Sequence, residues 1–101
     1  MLTGKQRSYL KGLAHELEPV VMIGKSGVSE SVVTAIDDAL SAHELVKVAI
    51  VGDTELDPKV VANEMAGRLR ADFVQAIGHK FVLYRMPRDP RDRKIVLPRA
   101  R

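Results

Sequence analysis

The sequence predicts a single α/β domain in which helices cover a mixed, four-stranded sheet. Two observations carry this prediction: segments with the apolar spacing of helices alternate with short β-branched runs, and turn-forming residues separate them. The resulting order is α-β-α-β-α-β-β. Strands that alternate with helices favour βαβ units with right-handed crossovers, so we expect the second and third helices to lie on the sheet. The docking position of the first helix does not follow from the pattern.

Each predicted helix has its own start signal. Thr3 and Gln6 have the spacing of a capping box, and Ser29 is a good N-cap. Asp57 is followed by Pro58, which suits the first position of a helix. The predicted helices run over residues 4–17, from residue 29 to residues 43–44, and from residue 57 to residue 69. The predicted strands run over residues 20–23, 45–51, 73–77 and 80–86.

The first strand and the C-terminal segment carry further expectations. Residues 20–23 are all apolar, so we predict a buried strand and place Met22 in the core. Gly78 and His79 are expected to turn the last two strands into a hairpin. Three prolines follow, so we predict one domain over residues 1–86 and an irregular basic tail over residues 87–101, with a short extended piece at residues 95–97.

Charge is concentrated at the two ends of the chain. The 101 residues have a net charge of +3, but residues 85–101 contain seven basic and two acidic residues, and residues 1–12 contain three basic residues and no acid. Two basic ends on a mildly acidic body indicate a polyanionic partner, and a solvated tail that keeps the protein soluble is the alternative.

Composition excludes several other functions. The chain has no cysteine, which excludes disulfides, a thiolate nucleophile and Cys-based zinc or iron–sulfur sites. The longest aliphatic runs are four residues, whereas a membrane span needs about 20. The N-terminus lacks the apolar region of a secretory signal, so we expect a cytoplasmic protein.

The loop formed by Gly24, Lys25, Ser26 and Gly27 is the sharpest binding feature, because it lies between a predicted strand and a helix start. The glycines let backbone N–H groups converge on an anion, and Lys25 adds a full positive charge. A P-loop interpretation fails, since that motif needs a further glycine where Pro19 stands. A Gly-x-x-Gly loop that clamps a nucleic-acid backbone, as in KH modules, fits better, and a plain tight turn is the alternative.

The remaining polar residues predict no catalytic site. His15, His43 and His79 are far apart and lack the spacing of metal ligands, so we expect them at helix ends or turns. No strained nucleophile turn for a Ser-His-Asp site is visible. Tyr84 and Arg85 could stack on and pair with a nucleotide, although Tyr84 could equally pack into the sheet. We therefore predict no enzyme, no metal, no cofactor and no small-molecule substrate.

Five segments carry a further signal: KGLAH at residues 11–15, PVVMIGKSGV at 19–28, HELVKV at 43–48, IG at 77–78 and VLYR at 82–85. Together they resemble the bacterial YhbY family of stand-alone CRM domains (chloroplast RNA splicing and ribosome maturation). The resemblance runs from about residue 3 to residue 86, in order and with similar spacing. It implies a fold similar to the C-terminal domain of translation initiation factor three, RNA binding, and association with precursors of the large ribosomal subunit.

The resemblance also assigns residues to an RNA surface. The family's Gly-x-x-Gly loop maps onto the loop described above. One departure is Ala49, which stands where family members often carry a second basic residue after Lys47. The basic first helix and the end of the last strand map onto Lys5, Arg7, Lys11, Tyr84 and Arg85.

We therefore predict a domain that binds structured RNA, most specifically ribosomal RNA during large-subunit assembly. Lys25 and the glycine backbone would hold phosphates, and a basic track would extend the contact, with specificity coming from RNA shape. Two alternatives stay open: a nucleotide-using enzyme built on residues 24–26, and a protein-interaction adaptor with a basic tail. The basic track is predicted to contain Lys5, Arg7, Lys11, Lys47 and Arg85.

Overall fold

A computed structural model describes residues 2–52 and 54–99. It confirms the predicted α/β class and element order, with one short 3-10 helix added in the tail. The helices are α1 (Gly4–Ala14), α2 (Glu30–His43) and α3 (Pro58–Leu69), and the strands are β1 (Val21–Ile23), β2 (Leu45–Ile50), β3 (Asp72–Ile77) and β4 (Lys80–Tyr84).

The helix starts are those that the caps predict. In the capping box of α1, the Gln6 backbone N–H donates to the Thr3 hydroxyl, and the Thr3 N–H donates to the Gln6 side chain, each at 3.1 Å. The Ser29 hydroxyl accepts from the backbone of α2, and the Asp57 carboxylate accepts from that of α3. Helix α1 ends at Ala14, three residues before its predicted end.

The sheet is mixed, in the order β1-β2-β4-β3. Strand β1 is parallel to β2, whereas β2 with β4 and β4 with β3 form antiparallel pairs. The predicted hairpin between β3 and β4 is present. Because β1 and β2 are parallel, the glycine loop after β1 lies at the end of the sheet where β2 finishes, and β2 begins at the opposite end.

Each face of the sheet carries its own apolar core. Helices α2 and α3 cover one face, as predicted, and their core includes Ile36, Met65 and Phe81. Helix α1 packs on β2, β3 and β4 from the other side, where Leu10 and Tyr84 are buried. The docking of α1 opposite the other two helices makes a three-layer domain.

Strand β1 lies at the edge of the sheet, and this corrects the expectation of a buried strand. Val21 and Ile23 point into the core under α2, but Val20 and Met22 are each 55% exposed. The placement of Met22 in the core is therefore wrong. The cause is the sheet order, because an edge strand beside a partly covered face buries only alternate side chains.

The C-terminal segment packs on the domain instead of extending from it. After the 3-10 helix at Pro90–Asp92, Ile95 and Leu97 pack against the core on the α1 side of the sheet. The Gln6 side-chain amide donates to the Pro98 carbonyl oxygen at 3.1 Å. Residues 95–97 do not pair as a strand. The division at residue 86 stays a prediction, but residues beyond it complete the second core.

Candidate nucleic-acid interface

The glycine loop is a tight turn at the end of β1. The Gly27 N–H donates to the Gly24 carbonyl oxygen at 3.0 Å, so Lys25 and Ser26 occupy the tip, where both are exposed. Gly27 has φ +73°, a conformation that favours glycine. A Cβ on Gly24 would meet no heavy atom within 4 Å. The backbone beside Lys25 is therefore open to a ligand.

The basic side chains of α1 lie on the opposite face from α2 and α3. Lys5 and Lys11 are exposed on the helix surface. Arg7 is partly buried, and its Nε donates to the Phe73 carbonyl oxygen at 3.1 Å, at the register shift in β3. Arg7 therefore joins α1 to the sheet as well as adding positive charge to this side.

Two lysines lie on the sheet face that α1 covers only in part. Lys47 is opposite Val82, and Lys80 is opposite Ala49, so the lysines are diagonal neighbours across β2 and β4, roughly 7–8 Å apart. Lys80 was not among the residues predicted from the sequence. Its position follows from the strand register, which sets Lys47 and Lys80 on one face.

The open part of this face continues to the glycine loop. Met22, Ala49, Lys80 and Ile77 form one row across the four strands. Met22 is 55% exposed and Ile77 is 65% exposed, so the row forms an accessible surface with apolar and cationic groups. We call this row, with Lys47 and the glycine loop, the loop surface.

Basic residues collect on the α1 side of the sheet. Helix α1 contains three basic residues and no acidic residue. The same side also carries Lys47 and Lys80. Helix α2 contains three acidic residues, of which Glu30 pairs with Arg68 and Asp37 pairs with Arg85. A polyanion is therefore attracted to the α1 side.

Tyr84 is part of the core and offers no ring for a nucleotide. It is 1% exposed and packs on the α1 side of the sheet. Burial raises the pKa of its hydroxyl, and the negative charge of Glu44 raises it further. Since a base cannot stack on a buried ring, the structure favours the alternative interpretation, in which Tyr84 packs into the sheet.

Arg85 is held by contacts within the domain. Its Nη1 donates to the Asp37 carboxylate at 2.6 Å and to the Leu69 carbonyl oxygen at 3.1 Å. Its Nη2 donates to the Asp37 carbonyl oxygen at 3.0 Å and to the Ser41 hydroxyl at 2.8 Å. The guanidinium ties the end of β4 to α2 and α3 and lies away from the loop surface.

Glu44 is a buried acid that sequence reasoning missed. It is 3% exposed and follows α2 with φ +65°. Its Oε2 accepts from the backbone N–H of Lys94 at 2.7 Å and of Ile95 at 3.3 Å, so it fixes the C-terminal segment. The partner amides lie about 50 residues further along the chain, and no local pattern indicates such a contact.

The predicted sites thus separate into two groups. Gly24, Lys25, Ser26 and Gly27 form the turn at the end of β1. The structure places Lys47 on the sheet face that α1 partly covers, with Lys5, Arg7 and Lys11 on α1. It places Tyr84 inside the core and Arg85 against α2. Within residues 2–52 and 54–99, no three histidine or acidic side chains group to hold a metal ion, and no helix is long and apolar enough to cross a membrane.

Comparison with known proteins identifies the family. The model of the CRS1 / YhbY (CRM) domain matches residues 2–85 of this chain. The chain is a member of the CRM domain family. The solution structure of the Staphylococcus aureus protein SAV1595 has the same fold as this CRM domain, with a TM-score of 0.81 and 40% identity, covering 97% of this chain and all of that one.

Two curated relatives match the CRM domain over nearly their whole length. A Haemophilus influenzae protein named "RNA-binding protein" is 44% identical over 98 residues, which are 97% of this chain and 96% of the relative. The Bacillus subtilis "Probable RNA-binding protein YqeI" is 39% identical, over 97% of this chain and 100% of the relative. Neither name states an enzymatic activity. The family match ends at Arg85, so residues 86–99 lie beyond it.

Proposed function

We propose that this CRM domain binds RNA through the α1 side of its sheet. The observation that carries the proposal is the collection of positive charge on this side, where the basic helix α1, Lys47 and Lys80 lie, with the exposed Lys25 in the glycine loop at the end of strand β1. The names of two relatives, which describe RNA binding, agree with it. Lysine contacts to phosphates supply affinity without reading sequence.

We further propose that the RNA is ribosomal and belongs to large-subunit precursors in the cytoplasm. This more specific proposal is supported by the sequence resemblance to YhbY-type domains. A loop surface with backbone N–H groups, lysines and exposed aliphatic side chains suits recognition of RNA shape. No catalytic step is proposed, because the names of the two relatives state RNA binding and no reaction.

RNA binding measured against salt concentration tests the proposal. If the protein neutralises four or more phosphates, log affinity falls with log salt at a slope of roughly −3 or steeper. Lys25→Gln, Lys47→Gln and Lys80→Gln should each reduce the magnitude of that slope by about 0.7–0.9. Lys59→Gln is the matched control, since Lys59 is an exposed lysine on α3, on the other side of the sheet.

Two outcomes would contradict the proposed function. One is a salt slope near zero, which would exclude phosphate contacts. The other is equal RNA affinity for all four variants with turnover of ATP or GTP that Lys25→Gln abolishes, which would favour an enzyme. Crosslinking in cells, followed by sequencing of the attached RNA, tests the ribosomal assignment separately. Recovery of messenger or transfer RNA alone would contradict it.

A further inference from the structure

A second cationic surface lies at the end of the sheet opposite the glycine loop. The C-terminal ends of α2 and α3 and the segment after β4 enclose an open cleft of about 1300 Å³. This cleft is larger than the roughly 300–1,000 Å³ of typical small-molecule pockets. Its charged lining consists of seven basic residues, Arg68, Arg70, Arg85, Arg88, Arg91, Arg93 and Lys94, and four acidic residues, Asp37, Glu44, Asp89 and Asp92.

Three of the seven basic side chains are neutralised by carboxylates. Arg85 pairs with Asp37 at 2.6 Å, and Arg68 pairs with Glu30 at 2.6 Å. Arg91 pairs with Asp89 at 2.9 Å, and its hydrogen bonds lower the pKa of that carboxyl. Within the described part of the chain, the other four basic side chains have no ion pair. These four are Arg70, Arg88, Arg93 and Lys94.

The acids of the cleft compensate these four charges only in part. Asp37 and Asp89 are paired with Arg85 and Arg91. Glu44 accepts backbone N–H groups of the tail and keeps its charge, and Asp92 is the other acid of the lining outside an ion pair. Four cations against these two carboxylates leave a positive surface that attracts a polyanion.

The backbone of the tail is held beside the cleft. Glu44 binds the backbone at Lys94 and Ile95, and Ile95 and Leu97 pack on the apolar core. Gln6 binds the Pro98 carbonyl oxygen. The segment with Arg88 and Arg93 is thus held between the end of β4 and these anchors, and a backbone of fixed position reduces the entropy lost when a ligand binds.

We propose that this cleft is a second phosphate-binding site for the same RNA, formed by Arg70, Arg88, Arg93 and Lys94. The inference rests on the proposed function. The site and the glycine loop lie at opposite ends of β2, whose six residues span roughly 20 Å. Only an RNA that reaches across the sheet therefore contacts both sites at once.

The lining favours RNA over an acidic protein. Three of the four unpaired cations are arginines, whose planar forks match phosphate oxygens. Protein interfaces are centred on aromatic and apolar anchors. Among the described residues of the lining no side chain is aromatic, and Met86 is the one large apolar side chain that is exposed.

A triple variant tests the second site in the full chain. We expect Arg70→Gln, Arg88→Gln and Lys94→Gln together to weaken binding of an RNA hairpin with a stem of about 16 base pairs by at least about tenfold, and to reduce the magnitude of the salt slope by about 2. The charge-conserving control, Arg70→Lys, Arg88→Lys and Lys94→Arg, should keep the slope. Circular dichroism and urea unfolding should show an intact fold for both.

Chemical shift mapping locates the contact and distinguishes the possible failures. On addition of the hairpin, amide signals of residues 86–94 should shift together with those of residues 24–27. If the loop signals shift but the triple variant keeps wild-type affinity and slope, the second site is refuted and the proposed function stands. If the wild type binds no RNA, the proposed function fails. If polyglutamate shifts residues 86–94 and RNA does not, the cleft binds an acidic protein and the proposal is wrong.

Discussion

Replacing Glu44 with alanine should detach the C-terminal segment. The carboxylate accepts two backbone N–H bonds, at 2.7 Å from Lys94 and at 3.3 Å from Ile95. A hydrogen bond to a charged group contributes about 1.5–3 kcal/mol, and the longer one contributes less, so the gross loss is about 3 kcal/mol. Water can solvate the released amides, and the variant no longer buries a carboxylate, which offsets part of the loss.

The expected net effect is a decrease of about 1–2 kcal/mol in the free energy of unfolding. For a domain of this size, that corresponds to a decrease in Tm of roughly 4–16 °C. Urea unfolding gives the free energy, and hydrogen exchange gives its location. The amides of Lys94 and Ile95 should exchange faster in Glu44→Ala, while amides in β2 and β4 keep most of their protection.

Two controls distinguish the anchor from an ordinary surface change. Glu64→Ala, at an exposed site on α3, should stay within about ±0.5 kcal/mol. In a chain that ends at residue 86, Glu44→Ala should change stability less than in the full chain, since its partners are gone. Unchanged exchange at Lys94 and Ile95, or equal effects in the full and the shortened chain, would refute the anchoring of the tail by Glu44.

Three further expectations follow from the site geometry. Gly24→Ala should change the free energy of unfolding by no more than about 0.5 kcal/mol, yet weaken RNA binding because the new methyl group blocks the backbone. Gly27→Ala should lower the free energy of unfolding by about 1–2 kcal/mol, because Gly27 has a positive φ. If both variants lose stability and keep the wild-type RNA affinity, the loop is a plain turn. Arg85→Gln should lower the free energy of unfolding by about 2 kcal/mol, a value that allows for solvent screening at the half-exposed Asp37. A decrease below about 0.5 kcal/mol, measured by urea unfolding, would contradict this. The pKa of Tyr84 is raised in the folded state, so its contribution to the free energy of unfolding is fully present below its unfolded pKa near 10 and is lost as pH rises through the folded pKa. Tyr84→Phe should therefore remove this alkaline loss of stability. The same dependence of stability on alkaline pH in Tyr84→Phe and the wild type would contradict this.

The features that the sequence predicts correctly depend on near neighbours. Helix starts follow from Thr3, Ser29 and Asp57, whose side chains bind backbone groups two or three residues away. The hairpin follows from a two-residue turn. The glycine loop follows from residues that are consecutive in the chain. In each case the deciding interaction lies within the segment itself.

The features that it predicts wrongly or misses depend on distant segments. Met22 is exposed because β1 lies at the edge of the sheet, which β-branched content cannot reveal. Tyr84 is enclosed by α1 and the tail, which come from opposite ends of the chain. Arg85 is bound by groups up to 48 residues away, and Glu44 by the amides of Lys94 and Ile95, 50 and 51 residues away. The type of a residue does not show which distant groups it will contact in the fold.

The hydrogen bond between Gln6 and Pro98 joins residues that are 92 positions apart, and this has a consequence for biosynthesis. A growing chain acquires the helices and strands of the first core long before Ile95 and Leu97 are synthesised. Until then, part of the apolar sheet face beside α1 stays open. Residues 95–98 therefore complete the second core late in synthesis. A ribosome that stalls before these residues leaves a nascent protein with an apolar surface of the kind that chaperones and proteases bind.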